Sequence, residues 1–128
     1  MKKIIISIQN SLLAEAIAMA LKKQGQFAPE RIAPGRSEEI VPACCAIRAD
    51  ILLMEVTHLV YSTLESRLVI CDTLRQKLPE CRLVLICDES ADAELADRVK
   101  QTKQSGRIDA FFYASVTSSY LAAAFYAL

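Results

Sequence analysis

Glycine is scarce in this chain: three residues in 128, at positions 25, 35 and 106. A phosphate-cradling loop needs several glycines close together, so a nucleotide-binding loop of that kind is excluded. Net charge is lacking too. The 15 Lys and Arg are matched by 15 Asp and Glu, and no excess of one sign draws the chain to nucleic acid or to an anionic membrane. No apolar run approaches the ~20 residues of a membrane-spanning helix. The start, Met1-Lys2-Lys3, leads into a short isoleucine stretch that turns polar at Ser7 and Gln9 without a small-residue cleavage site. No signal peptide is read, and a cytoplasmic protein is expected. Cys-x-x-Cys is missing, and the five cysteines (44, 45, 71, 81 and 87) are odd in number. That pattern speaks against a zinc ribbon and a disulfide framework. The cysteines are expected as small buried hydrophobes in a reducing compartment.

What is present is apolar: 53% of residues are hydrophobic and 23% charged. This is a folded domain rather than a disordered one, of a length suited to a single core. Its most informative stretch is Ala49-Asp50-Ile51-Leu52-Leu53-Met54-Glu55-Val56, with a strand read over Asp50 to Val56. Four unbroken apolar residues describe a strand buried on both faces. The acid at the end should stand at the carboxyl edge of a central strand, where sites are built in open α/β sheets.

Strand and helix signals alternate around it. Lys3 to Ile8 reads as a first strand. Asn10 or Ser11 caps a helix whose buried face is Leu12, Leu13, Ala16, Ile17, Ala20 and Leu21, closed by Gly25. A weak edge strand is expected over Glu30 to Ala33, between Pro29 and Pro34. Ser37-Glu38-Glu39 opens a second helix, which Pro42 makes start late or bend, with Ile40, Val41, Cys44 and Ile47 inward. Leu64 to Leu78 is a third helix with Leu64, Leu68, Cys71, Leu74 and Leu78 inward, stopped by Pro79. Arg82 to Cys87 is a buried strand. Ser90 caps a markedly polar fourth helix ending near Gly106. Ile108 to Tyr113 is a fifth strand, and Thr117 or Ser118 caps a last helix, Tyr120 to Leu128. Five β-α repeats with buried strands mean a parallel, doubly wound α/β sheet with helices on both faces.

Three segments carry a family resemblance. Arg36-Ser37-Glu38-Glu39-Ile40-Val41, followed after eight residues by Asp50-Ile51-Leu52-Leu53-Met54-Glu55, matches in spacing a pattern of the receiver domains of bacterial two-component response regulators. Asp109-Ala110-Phe111-Phe112-Tyr113-Ala114-Ser115-Val116 resembles that family's last strand, and Leu78-Pro79 its approach to the fourth. The resemblance spans the whole chain. It implies a (βα)5 flavodoxin-like fold with strand order 2-1-3-4-5, in a single domain over residues 1–128 of the kind found at the N-terminus of longer regulators.

The resemblance also implies where phosphorylation chemistry would sit, and the residues there depart from it. The acid pair that would hold Mg²⁺ falls on Ile8 and Gln9, or on Gln9 and Asn10. The phosphoacceptor position is Glu55, the hydroxyl position Cys87, the lysine position Ala114. The chain therefore looks like an atypical pseudo-receiver, with no catalytic residue, no cofactor and no Mg²⁺-dependent phosphotransfer. Phe111 falls at the family's switch-aromatic position and is read as a fixed core residue.

Several readings stay open at this point. Glu55 could mimic a phosphorylated aspartate or be a solvated acid. Glu55 and His58, with Cys87, Asp88 and Glu89 on the same edge, could bind a metal, or His58 could be an exposed loop residue. Cys87 near His58 could suggest a thiol nucleophile, but a cysteine closing an apolar strand reads as core. The fourth helix, fifth strand and fifth helix could form a homodimer face offering Tyr120, Leu121, Ala124, Phe125 and Leu128, or these could pack on the sheet. The expected role is a non-enzymatic signalling module acting by protein contact or dimerisation, reaching DNA only through a domain not present here. The alternatives are a stand-alone interaction protein, or a small-molecule or metal-binding domain using Gln9, Asn10, Glu55, His58 and Cys87.

Overall fold

A computed structural model describes residues 1–33 and 36–128; Pro34, expected to flank the second strand, and Gly35 lie outside the described residues. The elements run β1 (Lys2–Ser7), α1 (Ser11–Lys23), β2 (Phe27–Arg31), a 3-10 turn (Ser37–Glu39), α2 (Ile40–Ile47), β3 (Ile51–Glu55), α3 (Leu64–Lys77), β4 (Arg82–Cys87), α4 (Ala93–Gln104), β5 (Ala110–Tyr113) and α5 (Ser118–Ala127). The strands form one parallel sheet in the order β2-β1-β3-β4-β5. This is the expected doubly wound topology.

Alternation along the strands divides the core. Ile4, Ile6, Ile51, Leu53, Val84 and Ile86 enter one layer with Ile17, Leu21, Leu121 and Phe125 of α1 and α5. Ile5, Leu52, Met54, Leu83, Leu85 and Cys87 enter the other, beneath α2, α3 and α4. All four residues from Ile51 to Met54 are at most 1% exposed. Burial of such side chains contributes roughly 1.5–3 kcal/mol each, which makes β3 the centre of the hydrophobic stabilisation.

The helix starts are set by side chains that accept otherwise unpaired amides. Asn10 accepts from Leu13, Thr63 from Ser66 and Thr117 from Tyr120. The cap of α4 is Asp92, which accepts from Leu95, and not the expected Ser90. Ser90 belongs to a separate turn around the Asp88 carboxylate, which accepts its amide and its hydroxyl. Ser37–Glu39 form only the 3-10 turn, so α2 starts late. Pro42 then falls in its first turn, where no amide donor is needed.

Other boundaries shift as well. The edge strand lies at Phe27–Arg31, earlier than expected, with Pro29 beside Ile4 in the pairing. At an edge, its missing amide leaves no inner ladder bond unmade. Ile108 is buried but lies before β5. On α1, Leu12 is 80% exposed and Ala16 is exposed, against expectation, while Ala14, Ile17 and Leu21 are buried. The first turns of α1 are apolar almost all round, so its spacing admits two adjacent stripes, and docking selects one.

At the amino edge, two aspartates tie strands together. Asp50 Oδ2 accepts the Lys3 amide at 2.7 Å. Asp109 Oδ2 accepts the Leu83 amide at 2.8 Å and pairs with Arg75 at 3.2 Å. Asp109 thus belongs to a partly buried network, whereas Asp97 on α4 is exposed. Asp109→Ala is expected to lower stability by about 1–3 kcal/mol, measured by urea denaturation. Asp97→Ala should stay within about 0.5 kcal/mol of the parent.

Candidate functional site at the carboxyl edge

β1 and β3 end side by side, with Ser7 paired to Met54. Their last carbonyls run out of ladder partners, and a side chain from α3 meets them. Arg67 is 2% exposed. Its Nε donates to the Glu55 carbonyl at 2.8 Å and its Nη2 to the Ser7 carbonyl at 3.2 Å. Burial pushes the guanidinium down to about 10, against the pull of the Glu55 carboxylate. Arg67 follows Leu64 by three residues and precedes Cys71 by four, so it lies on the inward stripe of α3. Its charge alone hid it from the sequence reading, and its helical position was the signal that could have found it. Its Nη1 is buried with no hydrogen-bond partner among the described residues, as is Glu89 Oε2.

Glu55 is half-buried, and its Oε1 accepts the Gln9 amide at 3.0 Å. The Gln9 side chain takes a hydrogen bond from the Tyr61 hydroxyl. Asn10 is committed to capping α1, and Ile8 is buried in the α1–α5 layer. The connection from β3 to α3 folds over this edge. Thr57 donates its amide to Ser62 O at 2.9 Å, and the two hydroxyls bond each other. His58 does not turn toward Glu55. It is bonded through Nε2 to Asp92, the cap of α4. The Leu95 amide, and behind it His58, hold the Asp92 carboxyl below its ordinary range.

The remaining positions are spread across the next two strands. Cys87 is 2% exposed, inside the α2–α4 layer, and burial pushes its thiol up to about 11. A protonated, buried thiol is core material rather than a nucleophile. Ala114 donates its amide to the Cys87 carbonyl at 2.8 Å. Phe111 is half-buried against the same layer and meets Tyr113 edge to face, ring centres 5.5 Å apart.

The donor set does not suit Mg²⁺, which takes hard oxygen ligands, usually from one or two carboxylates. The β1 end offers Ile8, Gln9 and Asn10, Glu55 is bonded to a backbone amide, and the nearby cation is Arg67. No group of three or more His, Cys, Asp or Glu that could hold a metal ion is present among the described residues. Glu55 is bonded to the Gln9 amide, His58 to Asp92, and Cys87 lies in the apolar core.

The fold defined by this sheet order is that of response-regulator receiver domains. Three solved structures illustrate the likeness. A receiver domain protein (CheY-like) from Methanospirillum hungatei JF-1 shares 13% identity and a TM-score of 0.75, covering 99% of this chain and 92% of its own. The N-terminal domain of the nisin resistance regulator NsrR, a lantibiotic response regulator, shares 16% identity and a TM-score of 0.74, covering 98% and 96%. A DNA-binding response regulator of the LuxR family from Staphylococcus aureus shares 10% identity and a TM-score of 0.76, covering 99% and 98%. No family model matches the chain. No curated protein matches it either.

Two outcomes follow from this edge. Arg67→Ala should cost about 2–5 kcal/mol in chemical denaturation, because it opens a cavity and strips two carbonyls of their donor. Cys87 gives a pH dependence. Its folded value of about 11 lies above the ordinary 9.0, so its contribution is complete below about pH 9 and is lost as pH rises toward about 11. Cys87→Ala should therefore flatten the loss of stability between about pH 9 and about pH 11, read as midpoint against pH.

Proposed function

We propose that this chain is a non-enzymatic signalling module with a receiver fold, which acts through protein contacts independent of aspartyl phosphorylation. The observation that carries the reading is the buried Arg67 guanidinium joined to the ends of β1 and β3, with Glu55 bonded to Gln9 beside it. Phosphoryl transfer needs a divalent ion and further cationic donors to neutralise the charge of the moving group. Here the internal cation is spent on backbone carbonyls, the acceptor position is Glu55, and Ala114 offers no charge.

Output through a face of α4, β5 and α5, toward a second copy or another protein, fits this role. Its polar part is α4, with Glu94, Asp97, Lys100 and Lys103 exposed. Its aromatic part is Tyr120 and Tyr126, 64% and 63% exposed. Leu121 and Phe125 do not take part in such a face. They are buried in the α1–α5 layer, because the inward stripe of α5 has to cover β1 and β3. None of the described helices is long and apolar enough to cross a membrane, and the proposed setting is the cytoplasm. Any action on DNA would come through an attached output domain; the Staphylococcus aureus neighbour is itself a DNA-binding response regulator.

Incubation with acetyl phosphate and Mg²⁺, read by intact mass beside an aspartate-bearing receiver, tests the proposal. The expected result is an unchanged mass for this chain while the control gains a phosphoryl group. A stoichiometric gain here would overturn it.

A further inference from the structure

Docking on the sheet uses one of the two apolar stripes of α1, and the other faces solvent. On that second stripe Leu12 and Met19 are 80% and 68% exposed, and Glu15, Ala16, Lys22 and Lys23 share it. The spacing of three and four residues puts all six on one face of the helix. The charges there are unspent: no ion pair to Glu15, Lys22 or Lys23 forms among the described residues. The positions three and four residues from Glu15 along α1 are Ser11, Leu12, Ala18 and Met19, so its charge finds no partner on its own helix. Past the end of α1, a groove of about 290 Å³ opens toward α5, lined at the α1 end by Gln24 and Gln26 and along α5 by Ala123 and Tyr126. No charged side chain lines it.

We infer that this face is a self-association surface, on which a second copy of the chain packs its own α1 antiparallel across a twofold axis through Met19. The residues are complementary about that position. Four residues to either side of Met19 stand Glu15 and Lys23, three to either side Ala16 and Lys22, and seven to either side Leu12 and the turn residue Gln26. An antiparallel pair centred there sets Glu15 of each copy against Lys23 of the other, so one contact supplies two ion pairs. It also lays the aliphatic stem of Lys22 across Ala16, and brings Leu12 over the uncharged groove at the opposite helix end. A parallel pair would face Glu15 with Glu15 and lysine with lysine, so charge selects the antiparallel arrangement. The α5 helix adds no charged side chain that would oppose it. The occupant is a second copy rather than a foreign protein, because the complement of this face is the face itself. The pairing leaves α4, β5 and Tyr120 open to a different partner, and it does not depend on whether the chain takes a phosphoryl group.

Sedimentation equilibrium of the full chain from about 5 to about 500 μM tests the inference, and a reversible monomer–dimer equilibrium is the expected result. Met19→Asp places two acids on the axis, and Glu15→Lys turns both attractions into repulsions; each should weaken the dimer about tenfold or more. Both side chains are exposed, so the variants should keep the fold, checked by circular dichroism. Combining Glu15→Lys with Lys23→Glu restores opposite charges across the axis and should recover the parental association. A change that acted only on the stability of α1 would show no such rescue. A monomer at every concentration would overturn the inference. So would a dimer that Met19→Asp leaves intact, or a double variant that associates no better than Glu15→Lys alone.

Discussion

Ile51, Leu52, Leu53 and Met54 are withdrawn from water on both faces of the sheet, and the other features of the molecule accommodate that constraint. A strand with no solvated face needs a helical layer on each side, and parallel crossovers supply them. The same burial confines polar chemistry to the two edges of the sheet. At the amino edge, Asp50 and Asp109 take up strand amides. At the carboxyl edge, the last carbonyls of β1 and β3 require a donor, and Arg67 reaches across from α3 to provide it. A charge is tolerated at this depth because carbonyl dipoles and the Glu55 carboxylate stand around it, although burial still lowers its proton affinity.

Arg67 changes what the edge can do. An edge that binds a metal must leave oxygen ligands facing outward and unspent. Here the ligating groups are turned to one another: Glu55 to the Gln9 amide, Gln9 to Tyr61, Asn10 to the first turn of α1. The connection above them is also tied down, through Thr57 to Ser62 and through His58 to the cap of α4. The edge is closed by its own hydrogen bonds, and α4 is joined to it by one exposed imidazole.

The structural neighbours place this in perspective. Identities of 10–16% accompany TM-scores near 0.75 over almost the entire chain. Apolar patterning of that kind is satisfied by many sequences, so the sheet order says little about the chemistry at its edge. The chemistry of the edge is set by the residues that stand there: Gln9, Glu55, Arg67, Cys87 and Ala114.

While the strand order came from the family resemblance, periodicity in the sequence was enough to determine a parallel sheet with buried central strands, the inward stripes of α2 and α3, and Glu55 at the end of the central strand. These follow from local patterns that any packing must respect: unbroken apolar runs, 3–4 spacing, caps and prolines. Local pattern could not choose between the two apolar stripes of α1, separate the Asp88 turn from the Asp92 cap, or tell that Leu121 and Phe125 turn inward. It also could not reveal that Arg67 is buried or that His58 pairs with Asp92. Each of these depends on which surfaces meet after the chain has closed. An arginine on an apolar stripe is stable only if carbonyls from two distant strands end where its guanidinium arrives, and that coincidence exists only in the folded molecule.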